Sequence, residues 1–86
     1  MERFEFIEDE TKTGFYLFED ETPIGEIFFR WRKEDAISVY HTTVIPEFQG
    51  KGYGRKLVEK VIQYAEENSL NLSASCWFAD KLLQSN

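Results

Sequence analysis

Residues Gln49-Gly50-Lys51-Gly52-Tyr53-Gly54-Arg55-Lys56 set three glycines at alternate positions among three cationic side chains. Without a Cβ, glycine lets a backbone turn sharply or lets a ligand come close to it. Directly afterwards, apolar residues recur at helical spacing, so the loop's N–H groups fall at a helix N-terminus. That end carries the positive pole of the helix dipole and several unpaired donors, a combination that favours phosphate. Lys51, Arg55 and Lys56 add positive charge at the same place. The chemistry implied is capture of a pyrophosphate-bearing cofactor. Two common phosphate motifs fit badly. No Ser or Thr follows the lysine as a P-loop requires, and the third glycine comes one place too early for a dinucleotide fingerprint.

The elements around this loop follow from periodicity. Phe4 and Phe6 alternate with charged residues, which predicts a first strand over residues 3–8. Thr13-Gly14 is expected to break the pattern, and a second, aromatic strand to cover 15–18. After a turn at 20–23, residues 24–33 read as a long strand. Ile27, Phe29 and Trp31 lie on one face of it, with Glu26, Phe28, Arg30 and Arg32 on the other. A fourth strand over 36–45 places Ile37, Val39, His41, Thr43 and Ile45 on one side. Short polar connections between these strands imply an antiparallel meander. Pro46 ends it. From Gly54, the residues Leu57, Val58, Val61, Ile62 and Ala65 form a broad helical face suited to lying on a sheet. Leu70, Leu72, Ala74 and Cys76 alternate as a fifth strand, and residues 77–84 suit a short second helix. The expected fold is α+β, with residues 1–86 as one domain.

Composition narrows the function. The chain has 86 residues and a formal net charge of −6, which argues against general nucleic-acid binding. No apolar run is long enough to span a bilayer, and the N-terminal residues show no signal segment. A single cysteine excludes an internal disulfide and fits a reducing, cytoplasmic setting. Acidic residues crowd Glu8, Asp9 and Glu10 and again Glu19, Asp20 and Glu21, while residues 51–60 are mainly basic. This asymmetry suits either an anionic cofactor at one end with a cationic substrate at the other, or simply a solvated acidic surface.

The glycine stretch resembles the Gln/Arg-x-x-Gly-x-Gly/Ala signature of the GNAT superfamily of acyl-CoA-dependent N-acetyltransferases. Gln49, Gly52 and Gly54 fill its fixed positions. The strand ending in Val44-Ile45-Pro46 and the helix after the loop agree with it. The resemblance is good over residues 36–70 and looser in the flanking strands. The chain is most similar to a minimal single-domain subgroup with a His-Thr-x-Val strand, here His41-Thr42-Thr43-Val44, and a cysteine after the fifth strand, here Cys76. Such proteins lack the two helices that usually follow the first strand. Residues 9–14 leave no space for them, so an open acceptor side is expected.

The resemblance implies acetyl-CoA as acetyl donor, with a primary amine as acceptor: a protein lysine, a polyamine or another small amine. Its pyrophosphate would meet the loop amides of Gln49, Gly50, Lys51, Gly52, Tyr53 and Gly54, with Arg55 near phosphate. Its pantetheine arm would pair like an extra strand with Thr43, Val44 and Ile45. A backbone N–H around Val44 would stabilise the oxyanion. An amine is only about 10⁻³ to 10⁻⁴ deprotonated at neutral pH, so a base is useful. His41, the only histidine, is the candidate, and a hydrogen-bonded structural histidine is the alternative. Glu47 is a weaker candidate base. Many relatives protonate the departing thiolate with a tyrosine in the last helix, and residues 77–83 contain none. Cys76 could act instead, as proton donor or as acetyl-accepting nucleophile, or it could be a buried thiol packed like alanine. No metal, nucleic acid or membrane partner is implied, and the chain is read as a monomer or weak homodimer. The rival readings are a non-catalytic CoA-binding module and an interaction domain in which the glycine loop is only a tight connection.

Overall fold

Residues 1–74 are described by a computed structural model. Five strands and one long helix occur in the order β1 (Glu2–Glu8), β2 (Thr13–Glu19), β3 (Thr22–Lys33), β4 (Ala36–Val44), α1 (Tyr53–Glu67) and β5 (Asn71–Ala74). A 3₁₀ turn, Pro46–Phe48, connects β4 to the glycine loop. The strands lie side by side in chain order, β1-β2-β3-β4-β5. The first four pair antiparallel, and β5 runs parallel to β4. A parallel neighbour requires a crossover, which α1 supplies. The α+β class and the meander therefore stand as expected. Cys76 and the helix expected over 77–84 lie outside the described residues.

Helix α1 buries Leu57, Val58, Val61 and Ala65, a spacing that puts all four on one face. They pack on Leu17, Ile24, Ile27, Phe29, Ile37 and Val39 from the sheet. Trp31 shares the face of Phe29 yet stays 43% exposed, beyond the reach of the helix.

Two expectations about the strands need correction. Gly14 does not break the chain. It lies inside β2, paired with Ile7 on one side and Phe28 on the other. A Cβ there would come within 2.0 Å of the Ile27 carbonyl oxygen and 2.8 Å of the Phe28 ring, so only glycine fits. The second correction concerns the phase of β4. Phe29 pairs with Val39 but Phe28 pairs with His41, leaving Tyr40 as an extra residue. Such a bulge turns the following side chains over. Ile37 and Val39 face the helix as expected, but His41 and Thr43 do not share their side. Thr42, opposite Ile27, and Val44, opposite Gly25, face the helix instead.

Candidate active site

The bulge sets up both sides of the site. The Ile45 N–H donates to the Ile24 carbonyl of β3 at 2.8 Å. Backbone groups of an extended strand alternate in direction, so the N–H and C=O of Val44, and likewise those of Thr42, point away from β3. The Val44 carbonyl accordingly accepts a 3.0 Å hydrogen bond from the Gln49 side-chain amide. Gln49 thus ties the glycine loop to the end of β4. Among the described residues β5 pairs only with residues 36–39 of β4, so no strand covers the edge on which the Val44 N–H lies.

After the 3₁₀ turn, Gly50 and Gly52 take φ of 80° and 86°. Side chains other than glycine's are strained in that region. A Cβ on either residue would meet nothing within 4 Å. The glycines therefore serve conformation rather than internal packing, and the space in front of them is open. Gly52 is the N-cap of α1, which has no side-chain cap and no acidic residue in its first turn. The first N–H groups of the helix are left for an outside acceptor.

A cavity of about 520 Å³ opens here, walled by Thr42 and Val44 of β4, Phe48 and Gln49, and Gly50, Gly52, Tyr53, Gly54 and Arg55. The rings of Phe48 and Tyr53 meet edge to face at 5.8 Å. Thr42 and Phe48 were not foreseen as site residues. Thr42 stands inside the His-Thr-x-Val motif, but its facing depends on the bulge. Its Oγ1 is sealed from solvent and has no hydrogen-bond partner among the described residues.

The three cations are placed differently from one another. Arg55 lines the cavity. Lys56 Nζ is held by the Glu2 carboxylate of β1 at 2.7 Å, which raises its pKa from the ordinary lysine value. Lys51 Nζ lies 5.7 Å from the centre of the Phe48 ring. The acidic groups are divided too. Glu19 and Asp20 lie at the glycine-loop end of the sheet, where Glu19 pairs with Glu2, and the Asp9 turn lies at the other end. The expected separation of a basic and an acidic pole is thus not what the fold builds.

Thr43 and Ile45 turn to the sheet face opposite α1. There they line a smaller cavity of about 250 Å³ with Tyr16, Phe18 and Glu26. His41 lies on the same face, its ring stacked on Phe28 at 5.4 Å and 16°. His41 Nε2 is 3.0 Å from Glu26 Oε2 and 3.0 Å from Thr43 Oγ1. Glu47 sits exposed in the 3₁₀ turn and does not line the larger cavity.

A helix N-terminus with an open glycine loop thus stands beside a stretch of β4 edge that no strand covers among the described residues, an arrangement suited to an anion and an added strand. The family model described as GCN5-related N-acetyl-transferase matches residues 3–86. The chain belongs to that family, and so to the acetyltransferases. A GCN5-like protein from Staphylococcus aureus, solved by NMR, is 38% identical, with a TM-score of 0.70 over 94% of this chain and 78% of that one. The ribosomal-protein-S18-alanine N-acetyltransferase from Escherichia coli shares the fold at a TM-score of 0.81 and 18% identity, over 99% of this chain and 76% of that one. The PaiA N-acetyltransferase from Thermoplasma acidophilum, solved with coenzyme A, shares it at 0.60 and 20% identity, over 65% and 35% of the two chains. No curated protein matches the sequence. GCN5-related acetyltransferases use acetyl-CoA, and the residues here suit it. The cavity of about 520 Å³ is in the usual range for a small-molecule site, and its donors are backbone amides and an arginine. Among the described residues no helix is long and apolar enough to cross a membrane.

Proposed function

We propose that this chain transfers the acetyl group of acetyl-CoA to a primary amine, borne by a protein lysine, a polyamine or another small amine. The observation that carries the reading is the cavity shared by the positive-φ glycines, the uncapped start of α1 and the outward Val44 N–H. Amides of residues 50–54 and the Arg55 guanidinium would hold the pyrophosphate. The outer edge of β4 over Thr43, Val44 and Ile45, where the Val44 backbone faces away from β3, would hold the pantetheine arm as an added strand. Gln49 contributes by fixing the loop to Val44. Tyr53 and Phe48 form an apolar wall that excludes water, and Lys51 adds long-range attraction.

Acetyl-CoA supplies an activated carbonyl. The protein's part is to place an N–H donor where charge develops on that oxygen, and the Val44 N–H, directed away from β3, is the donor suited to this. His41, on the other side of β4, takes the proton that the amine sheds. Cys76 is assigned to the sulfur side, as proton donor to the departing thiolate or as a transient acetyl carrier, on the strength of the subgroup resemblance.

Intact mass spectrometry of wild type and Cys76→Ala, incubated with acetyl-CoA with and without polyamine or lysine-peptide acceptors, tests this. An acetyl adduct absent from Cys76→Ala and discharged by an acceptor establishes a covalent route. Acetylated acceptor without an adduct establishes direct transfer. Neither adduct nor product, with CoA still raising the melting temperature, makes the chain a CoA-binding module.

A further inference from the structure

The sheet face opposite α1 carries three polar side chains that the glycine loop does not use: Glu26 of β3 and His41 and Thr43 of β4. The register puts Glu26 directly across from Thr43 and puts Phe28 across from His41, so Glu26 reaches His41 on the diagonal. His41 Nε2 stands 3.0 Å from Glu26 Oε2. An ionised carboxylate has only acceptors, so the nitrogen facing it must carry the hydrogen. The Thr43 hydroxyl oxygen, also 3.0 Å from Nε2, can then only share in accepting that N–H. The tautomer follows from these contacts. Nε2 is the N–H nitrogen, and Nδ1 carries the in-plane lone pair. No hydrogen bond engages Nδ1 among the described residues.

We propose that Glu26 is a positioning residue that holds His41 in its Nε2–H tautomer, making Nδ1 the nitrogen that accepts the amine's proton. The assignment deepens the amine-acetylation reading and rests on it. Packing supports the geometry. The imidazole lies flat on Phe28, whose ring occupies the space over Gly14, so the base cannot tilt toward β2. Other charged or titratable groups on this side are Lys12, with Nζ 5.5 Å from the centre of the Phe28 ring, Tyr16, whose ring meets Phe28 at 5.8 Å, and, one step further along β3, Arg30, whose guanidinium lies 4.2 Å over the Tyr40 ring. Of these groups only Glu26 touches the imidazole.

In the transfer step the amine nitrogen bonds to the carbonyl carbon and the carbon–sulfur bond breaks, the electron pair leaving on the thiolate. The proton lost by nitrogen passes to Nδ1. The imidazolium so formed keeps Nε2–H on Glu26, whose negative charge offsets the new positive one, and Nδ1–H then returns its proton to water. On the same strand the N–H groups of Thr42, one residue from His41, and Val44, three residues from it, are directed away from β3 to the cavity side. The two faces of β4 thus divide the work between carbonyl and proton.

Because His41 is the only histidine, one imidazole signal set in a long-range ¹H–¹⁵N spectrum of the full chain reads its tautomer without assignment. Once the imidazole is neutral, the Nε2–H tautomer is expected in wild type and in Glu26→Gln, whose amide oxygen still accepts. A mixture of tautomers is expected in Glu26→Ala. Acetyl transfer to a polyamine should lose roughly tenfold in kcat in Glu26→Ala with little change in KM for acetyl-CoA, and Glu26→Gln should recover part of it. An Nδ1–H tautomer in wild type overturns the inference, as does Glu26→Ala with unchanged tautomer and kcat. An Nε2–H wild type that acetylates no amine overturns the amine-acetylation reading, and with it the catalytic use of Nδ1, while leaving the Glu26–His41 pairing in place.

Discussion

Single residues around the cavity differ in what they do for the empty fold and for a ligand. Thr42 Oγ1 is sealed from solvent and unpartnered among the described residues, a state that costs a hydroxyl about 1–3 kcal/mol. Thr42→Val keeps the shape and removes the cost. It should therefore raise the melting temperature of the ligand-free chain by several degrees, about 4–8 °C for each kcal/mol in a domain this small. Thermal denaturation monitored by circular dichroism reads this directly, and an unchanged or lower midpoint would show that the hydroxyl is already satisfied. Gly52 has the opposite profile. At φ 86°, an alanine would be strained by about 1–2 kcal/mol but would strike nothing, since no atom lies within 4 Å of its Cβ. Gly52→Ala should fold with modestly lower stability while CoA no longer raises its midpoint, because the new methyl projects into the space before the helix amides. Full CoA stabilisation in this variant would remove Gly52 from the site.

At the scale of elements, most of the fold was legible and its phase was not. Alternation marked the first four strands, 3.6-residue spacing marked α1, and the glycines at 50, 52 and 54 marked the loop by residue type alone. The bulge at Tyr40 left no trace, because an aromatic residue suits either face of a strand and the extra residue has no compositional signature. Without it, His41 and Thr43 seemed to side with Val39, Thr42 passed unnoticed, and Glu26 could not be matched to His41, since that pairing exists only once register is known. Gly14 misled for a related reason. A glycine in a strand reads as a break, whereas here it yields its volume to Phe28 on the neighbouring strand. Gly14→Ala should cost on the order of 3 kcal/mol, because the clash is with backbone and cannot be relieved by a rotamer change. Urea denaturation measures the loss, and the lone imidazole resonances should shift as Phe28 moves under His41. A shift of stability below 1 kcal/mol would mean that β2 and β3 separate easily at this point.

Across the whole molecule, the aromatic residues of β1, β2, β3 and α1 act together. Tyr64 of the helix meets Phe6 at 5.5 Å, Phe15 at 5.8 Å and Phe29 at 5.5 Å, joining the outermost strand to the centre of the sheet. Burial in this cluster, with a smaller contribution from Glu8, raises the Tyr64 pKa above its ordinary value. The folded state thus holds the phenolic proton more firmly than the unfolded chain does. Its contribution is complete below the unfolded pKa of about 10 and is lost as pH rises through the higher folded value. Melting temperatures measured between about pH 9 and 11 should fall more steeply for wild type than for Tyr64→Phe. Parallel curves would mean that another group governs alkaline unfolding. The extra residue at Tyr40 has a consequence on this scale as well. Beyond it, even-numbered positions of β4 look to one side of the sheet and odd-numbered positions to the other, through a wall a single strand thick. If the proposed function holds, heritable change at 42 or 44 would alter how the donor is handled, and change at 41 or 43 would alter the acceptor side. On that reading a lineage could exchange one amine for another by point mutation without relearning how to hold its thioester.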